Sequence, residues 1–88
     1  MEVEFDPAKS RSNLHKHGVD FPHAEQALRD MRALTIEDPD AEGEPRFVTL
    51  GMDAIGRLRV VVHAPRGRNL RIISAREASK GEARDYHA

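Results

Sequence analysis

Two periods of apolar and polar positions alternate along the chain, and together they predict five strands and three helices. Near the start, Val3 and Phe5 alternate with Glu2 and Glu4, which is typical of a short edge strand. Further strands are predicted at 34–36, 46–52, 57–64 and 70–75, and helices at 7–17, at 20–32 and after residue 75. This order favours an α+β fold: a small antiparallel sheet packed with two N-terminal helices and one C-terminal helix, in a single domain over residues 1–88.

The first two helices carry clear start signals. Asp6 is the expected N-cap of the first helix, Pro7 stands at its first position, and Gly18 ends it. Its apolar contacts are limited to Ala8 and Leu14, so it is a thin, basic helix. The second helix starts near Asp20, and its predicted buried stripe comprises Ala24, Ala27, Leu28 and Met31.

The two longest strands are predicted to form a hairpin with residues 65–69 as its loop. Pairing apolar with apolar residues sets Ala64 against Leu70, Val62 against Ile72 and Val60 against Ser74. On the opposite face this register places Arg59, His63 and Arg71 together, beside Val61 and Ile73.

Composition narrows the class of protein. Of 88 residues, 39% are hydrophobic and 5% aromatic, which supports one modest core. The absence of cysteine excludes disulfide scaffolds, thiolate zinc sites and cysteine nucleophiles. No stretch reaches the roughly 18 apolar residues of a membrane span, and the chain opens with acids where a signal peptide carries positive charge. We therefore expect a soluble cytoplasmic protein that has no membrane contact.

Charge is distributed unevenly, although the net charge is only −1. Residues 37–44 contain five acids and no base, whereas residues 57–76 contain six arginines and no acid. One interpretation is a basic edge of the fold that binds an anionic partner. The alternative is that the two charged segments neutralise each other on an ordinary surface.

The five histidines do not predict a metal site. His15 and His17 are two residues apart, so on a regular helix they point in different directions, and no clustered carboxylate completes a ligand set. The motifs of serine hydrolases, phosphate-binding loops and zinc proteases are also missing. We expect neither a metal nor a cofactor.

The remaining chemistry is a surplus of cations near Tyr86, Glu82 and His63. Such a set is suited to RNA cleavage without metal, in which a base removes the 2′-hydroxyl proton, the oxygen attacks the adjacent phosphate, and arginines stabilise the developing charge. By itself the pattern is weak, because many surface hairpins carry several arginines.

The sequence resembles a known family over nearly its whole length. Val3-Glu4-Phe5-Asp6-Pro7-Ala8-Lys9, Asn13, Lys16-His17-Gly18-Val19 and Phe21 are similar to the N-terminal signature of BrnT-type toxins from bacterial toxin–antitoxin pairs. The resemblance continues through Leu34-Thr35-Ile36-Glu37-Asp38-Pro39, through Glu44, Arg46 and Phe47, and into Arg71-Ile72-Ile73-Ser74-Ala75-Arg76 with Ala78, Glu82 and Tyr86. Phe5 stands where the family commonly has tryptophan.

The resemblance implies a RelE-like fold and an endoribonuclease that arrests translation. It also implies neutralisation by a cognate antitoxin with a ribbon-helix-helix part, in a heterotetramer that reaches operator DNA only through the antitoxin. The expected catalytic candidates are Arg71, Arg76, Glu82 and His63, where the arginines stabilise phosphate and Glu82 or His63 is the general base. The expected RNA-binding residues are Lys9, Lys16, Arg59 and Tyr86.

Each assignment has a structural alternative. Arg76 can instead pair with Glu77 or Glu82, the lysines can be a solvated helix face, His63 a half-buried strand residue, and Tyr86 a packing anchor. Two other functions also stay open. One is a non-catalytic module that binds the antitoxin and acts as co-repressor of its operon. The other is a small DNA-binding regulator acting alone, which the lack of a helix-turn-helix pattern disfavours.

Overall fold

A computed structural model describes residues 2–88, and in it three helices pack on a five-stranded sheet. The helices are α1 (Pro7–His17), α2 (Phe21–Leu28) and α3 (Lys80–His87). The strands are β1 (Val3–Glu4), β2 (Leu34–Glu37), β3 (Phe47–Met52), β4 (Leu58–Arg66) and β5 (Asn69–Glu77), in the spatial order β1-β5-β4-β3-β2. The α+β class and the predicted order of elements are confirmed.

The predicted helix caps are present. Asp6 accepts a hydrogen bond from the amide of Ala8 at the start of α1, and Gly18 ends that helix at a φ of +74°, where a side chain would be strained. Asp20 caps α2 in the same way through the amide of His23. These contacts are local, which is why sequence alone located both helices.

The sheet is mixed rather than purely antiparallel. The strands from β2 to β5 form antiparallel pairs, but β1 runs parallel to β5, with Val3 opposite Leu70 and Glu4 opposite Arg71. The alternation of apolar and polar residues at positions 2–5 indicates a short edge strand, but it carries no information about whether that strand runs parallel or antiparallel to its neighbour. The short β1 covers only the first part of the outer edge of β5.

The predicted register of the β4–β5 hairpin is wrong. The loop is only Gly67-Arg68, with Gly67 at a φ of +59°, and both strands extend into the predicted loop. Near the loop Ala64 therefore pairs with Arg71, and an irregularity after Val62 shifts the register again. Beyond it the observed pairs are Val62 with Ser74, Val61 with Ala75 and Val60 with Arg76.

This register defines two faces of the sheet. The helix face carries Val61 and Ala75 and packs against α1 and α2, whereas the open face carries Val60 and Val62. The buried core lies between the helix face and the two helices and consists of Val19, Phe21, Ala24, Ala27, Val61, Ile72 and Ala75. The third helix lies on the open face, where Glu82 and Asp85 border a groove over Leu34, Leu50 and Val60.

Two predicted core contacts are wrong. Met31 is fully exposed, because α2 ends at Leu28 and the stripe ends with it. In α1, Leu14 is 48% exposed, and the buried positions are instead Ser10 and Asn13. The hydroxyl of Ser10 accepts from the amide of Phe21 at 3.0 Å, so α1 attaches through hydrogen bonds rather than through an apolar stripe.

Candidate functional site

Arg76 and Glu82 form a two-pronged ion pair at the end of β5. The Nη1 and Nη2 atoms of Arg76 lie 2.8 and 2.9 Å from Oε1 and Oε2 of Glu82. Ser79 caps α3, and its amide also donates to Glu82 at 2.8 Å, which fixes the carboxylate in the first turn. The pair holds the guanidinium in one orientation while half of its side-chain surface stays exposed to solvent.

The pairing changes the proton affinity of both groups. The hydrogen bond from Arg76, aided by the Ser79 amide, lowers the pKa of Glu82 to about 2. The same bond raises the pKa of Arg76 above its ordinary value. At neutral pH the paired Glu82 is therefore ionised and weakly basic, which suits it to hold Arg76 better than to remove a proton.

Arg71 lies on the same open face as Arg76. Its Cα partner on β4 is Ala64 and that of Arg76 is Val60, so the two arginines are about 13 Å apart along the sheet. Ser74 lies between them, opposite Val62. The Nη1 atom of Arg71 is 3.5 Å from Oε1 of Glu4, a loose contact that a phosphate can replace.

His63 and Arg59 lie on the helix face, so the prediction that they share a face with Arg71 is wrong. Because of the extra residue in β5 and the shorter loop, His63 pairs with Ile72 and Arg71 pairs with Ala64, so His63 and Arg71 point to opposite faces. Burial lowers the pKa of His63, whose Nε2 lies 2.8 Å from the Thr49 hydroxyl and whose ring stacks on Phe47. These contacts are those of a neutral, buried strand residue.

The guanidinium of Arg59 is committed to a buried network. Its Nε donates to Asp53 at 2.9 Å, its Nη1 donates to Glu77 at 2.9 Å, and the residue is only 4% exposed. Burial raises the pKa of Asp53, but the bonds from the Arg57 amide and from Arg59 outweigh it and keep that pKa below its ordinary value. Arg59 therefore lies away from the open face, and its Nε and Nη1 atoms already have carboxylate partners.

Tyr86 anchors α3 to the segment that follows α2. Its hydroxyl donates to Oδ2 of Asp30 at 2.5 Å, and the same oxygen accepts from the amide of Met52. Hydrogen bonding to Asp30 raises the pKa of Tyr86. Asp30 was missed in the sequence because no spacing or motif connects it to a residue 56 positions away.

Lys9 and Lys16 lie together beside a small cavity between α1 and β5. The cavity has a volume of about 220 Å³ and is lined by Lys9, Ser12, Asn13, Lys16, His17, Ile73 and Ser74. The lysines are two helical turns apart, and both are exposed. The structure thus brings together two of the predicted RNA-binding residues, with Ser74 between them and the open face.

Most of the arginines in the segment 57–76 have carboxylate partners. Those with partners are Arg57 and Arg59 with Glu77, Arg71 with Glu4, and Arg76 with Glu82. Within residues 2–88 only Arg66 and Arg68 of the segment, at the hairpin tip, form no ion pair. The expected basic edge is therefore largely neutralised, and the acidic segment contributes only the pair of Asp38 with Arg46.

Among residues 2–88, no three His, Asp or Glu side chains cluster in a way that could hold a metal ion. Over the same residues no helix is long and apolar enough to cross a membrane.

The chain is similar to known proteins over nearly its full length. Residues 5–82 match the family described as the ribonuclease toxin, BrnT, of type II toxin–antitoxin systems. The crystal structure of the Brucella abortus ribonuclease toxin BrnT is similar, with a TM-score of 0.65 and 29% sequence identity over 91% of this chain and 99% of that one. No curated protein sequence matches the chain.

Proposed function

The chain belongs to the BrnT family of type II ribonuclease toxins, and from that premise we propose that it cleaves RNA without a metal ion on the open face of its sheet. The observation that carries the proposal is the guanidinium of Arg76, which is oriented by two oxygens of Glu82 and still accessible to solvent. A preorganised cation of this kind stabilises charge that develops in a transition state.

In the proposed reaction the 2′-hydroxyl of RNA gives its proton to solvent water and attacks the adjacent phosphorus, and the 5′-oxygen of the next nucleotide leaves and takes a proton from water. The exposure of the site around Arg76 gives water access to both oxygens. Arg76 binds the non-bridging oxygens as negative charge gathers on them, and its guanidinium stays protonated throughout. Arg71, about 13 Å along the sheet, holds a phosphate two nucleotides away. Glu82 acts as a positioning residue for Arg76.

The two candidate bases lie on opposite sides of the sheet. His63 is buried on the opposite face against Thr49 and Phe47, so we assign it to packing. Glu82 is on the correct face, but its pKa of about 2 makes it a weak base while it is paired. A Glu82→Gln variant distinguishes the two roles. If Glu82 positions Arg76, the substitution lowers kcat and leaves the shape of the pH–rate profile unchanged. If Glu82 is the general base, the substitution removes the acidic limb of that profile.

The direct test is cleavage of an end-labelled RNA by the purified toxin in excess EDTA. We expect the wild type to cleave, and Arg76→Ala to lose about 10²–10³ in kcat, the usual loss when one donor to a developing oxyanion is removed. Arg66→Ala is the matched control, because it removes the same charge from the exposed hairpin tip. Full activity of folded Arg76→Ala, or loss of wild-type cleavage in EDTA, would contradict the proposal.

We further propose that cleavage inhibits translation and that a ribbon-helix-helix antitoxin neutralises the toxin. An antitoxin partner follows from the family, and an uncovered apolar strip on the open face supports its position. Leu34 is 48% and Ile36 64% exposed, and they adjoin a groove of about 200 Å³ that is bordered by Glu82 and Asp85. This border favours a segment of the antitoxin that is apolar and basic.

An antitoxin in this groove would also cover Glu82, so binding and inhibition would be one event. Two toxins on one antitoxin dimer would form a heterotetramer, which contacts operator DNA through the antitoxin alone. The test is co-purification with the antitoxin encoded beside the toxin: we expect Ile36→Glu to weaken the complex while RNA cleavage persists. A complex of unchanged affinity would place the antitoxin elsewhere.

The same strip favours the second candidate function, a non-catalytic module that binds the antitoxin and adjusts operator binding. That function predicts a tight complex, harmless expression of the toxin alone, and no cleavage by the wild type. Adding the purified toxin to a translating extract and measuring protein synthesis therefore separates the two functions. Only the ribonuclease stops protein synthesis.

A further inference from the structure

The cavity between α1 and β5 has the chemistry of an anion site. Two lysines, Lys9 and Lys16, line it together with Ser12 and Ser74. No carboxylate lines the cavity, and within residues 2–88 neither lysine forms an ion pair. This distinguishes the lysines from most of the arginines of the hairpin, whose charges are already balanced.

The position of the cavity is held by Asn13. Its Nδ2 donates to the carbonyls of Val19 and Ala75 at 2.7 and 2.8 Å, and its Oδ1 accepts from the Ala75 amide at 3.2 Å. The side-chain amide thus pairs with the outer edge of β5 as a neighbouring strand would, beyond the point where β1 ends. Lys9 and Lys16 lie one turn before and one turn after Asn13, so the cationic side of α1 is fixed against that edge.

The cavity borders the open face of the sheet at Ser74. Ser74, which lines the cavity, shares its face with Arg71 and Arg76 through its pairing with Val62. Its β4 partner is two residues from that of Arg76, which is about 7 Å along the strand and comparable to one nucleotide of an extended chain. A polyanion that contacts Arg76 can therefore pass over Ser74 and reach the two lysines.

We propose that this cavity is a second phosphate subsite, which binds the RNA backbone beside the cleaved phosphate. The proposal rests on the proposed ribonuclease function and adds the path of the substrate, from the open face across the outer edge of β5 to α1. Lysines suit this role because they attract phosphate as point charges without imposing the fixed geometry of a guanidinium. Such contacts hold the register of the chain and do not read its sequence.

The first experiment measures binding without cleavage. A fluorescent decanucleotide with 2′-O-methyl groups cannot be cut by its own 2′-oxygen, and its dissociation constant is measured by anisotropy at several salt concentrations. For Lys9→Gln/Lys16→Gln we expect the slope of log K against log salt to fall by about 0.7 to 1.4, as one or two single-strand phosphate contacts require. The matched control is Arg11→Gln/Arg66→Gln, which removes two exposed charges outside the cavity.

The second experiment uses substrate length. A dinucleotide reaches Arg76 but not the lysines, whereas a decanucleotide reaches both. We expect the double lysine variant to lose about tenfold in kcat/KM on the decanucleotide. On the dinucleotide it should match the wild type.

The outcomes separate the subsite from the proposed function. If the wild type cleaves RNA and the lysine variant matches the arginine control in slope and in length dependence, the subsite is refuted and the ribonuclease stands. If no RNA is cleaved but the slope falls only in the lysine variant, the subsite stands and the catalytic proposal fails. If the salt slope falls equally in both double variants, RNA responds only to the total positive charge of the protein, and a defined subsite is refuted.

Discussion

Replacement of Asn13 by alanine removes three hydrogen bonds that join α1 to the rest of the molecule. The side chain is 7% exposed, and it bridges the carbonyls of Val19 and Ala75 and the amide of Ala75. Each bond contributes roughly 1 kcal/mol net, so the loss is about 3 kcal/mol, reduced toward 2 kcal/mol where water from the neighbouring cavity replaces a bond. This is a large share of the roughly 5–15 kcal/mol by which a small domain is stable.

Urea unfolding followed by circular dichroism measures the effect. A domain of this size has an m-value of roughly 1 kcal/mol per M, so the midpoint of Asn13→Ala should fall by about 2 M. Ser12→Ala is the control, because Ser12 is an exposed neighbour on the same helix and forms none of these bonds. A destabilisation of Asn13→Ala below about 0.5 kcal/mol, the size of an ordinary surface substitution, would refute the bridging role.

Asn13→Asp gives a sharper version of this test. It keeps the oxygen that accepts from Ala75 but places a second oxygen 2.7 and 2.8 Å from two carbonyls. Burial and this repulsion raise the folded-state pKa of the new carboxyl above its unfolded value, so its penalty should shrink as the pH falls from 7 toward 4. A penalty independent of pH in this range would show that the side chain has turned away from the carbonyls.

Three further predictions follow from single contacts. Asp53→Ala leaves the buried guanidinium of Arg59 with Glu77 as its remaining partner and should cost about 3 kcal/mol in urea unfolding; a cost near zero would contradict the buried network. Ionised Glu82 stabilises the fold by about 1 kcal/mol above its unfolded pKa of 4.5, and this contribution is lost as the pH falls toward 2. In Glu82→Gln the free energy of unfolding should therefore depend less on pH between 4.5 and 2. Gly51→Ala should cost about 2–3 kcal/mol of thermal stability, because a Cβ there overlaps a backbone carbonyl oxygen of α2; an unchanged melting temperature would disprove this close approach.

The local signals in the sequence were sufficient for most elements. Asp6, Pro7 and Gly18 set the bounds of α1, because a cap acts on backbone groups within one turn. The resemblance to BrnT toxins likewise depends only on the order of residues in the sequence. The family match over residues 5–82 confirms this prediction. Alternation and turn residues located every strand, with shifts of one or two residues at their ends.

The candidate site could not be assembled from those signals. Arg76 and Glu82 were each predicted and are paired, whereas His63 was grouped with Arg71 and lies on the other face. The register of the hairpin decides this question, and it depends on one unpaired residue in β5 and on a two-residue loop. A shift of one residue exchanges the faces of a strand, so a small local error changes the composition of the whole site.

The sequence by itself therefore determined the family, the α+β class and the order of the elements, since these depend on local periodicity, caps and recognisable motifs. Only the tertiary structure decided which charges are free. It pairs Arg59 with Glu77 and Arg71 with Glu4, whereas within residues 2–88 Lys9 and Lys16 form no ion pair. Whether a charge is available to a ligand depends on what lies a few ångströms away in space, and the carboxylate next to Arg71 is 67 positions away in the sequence.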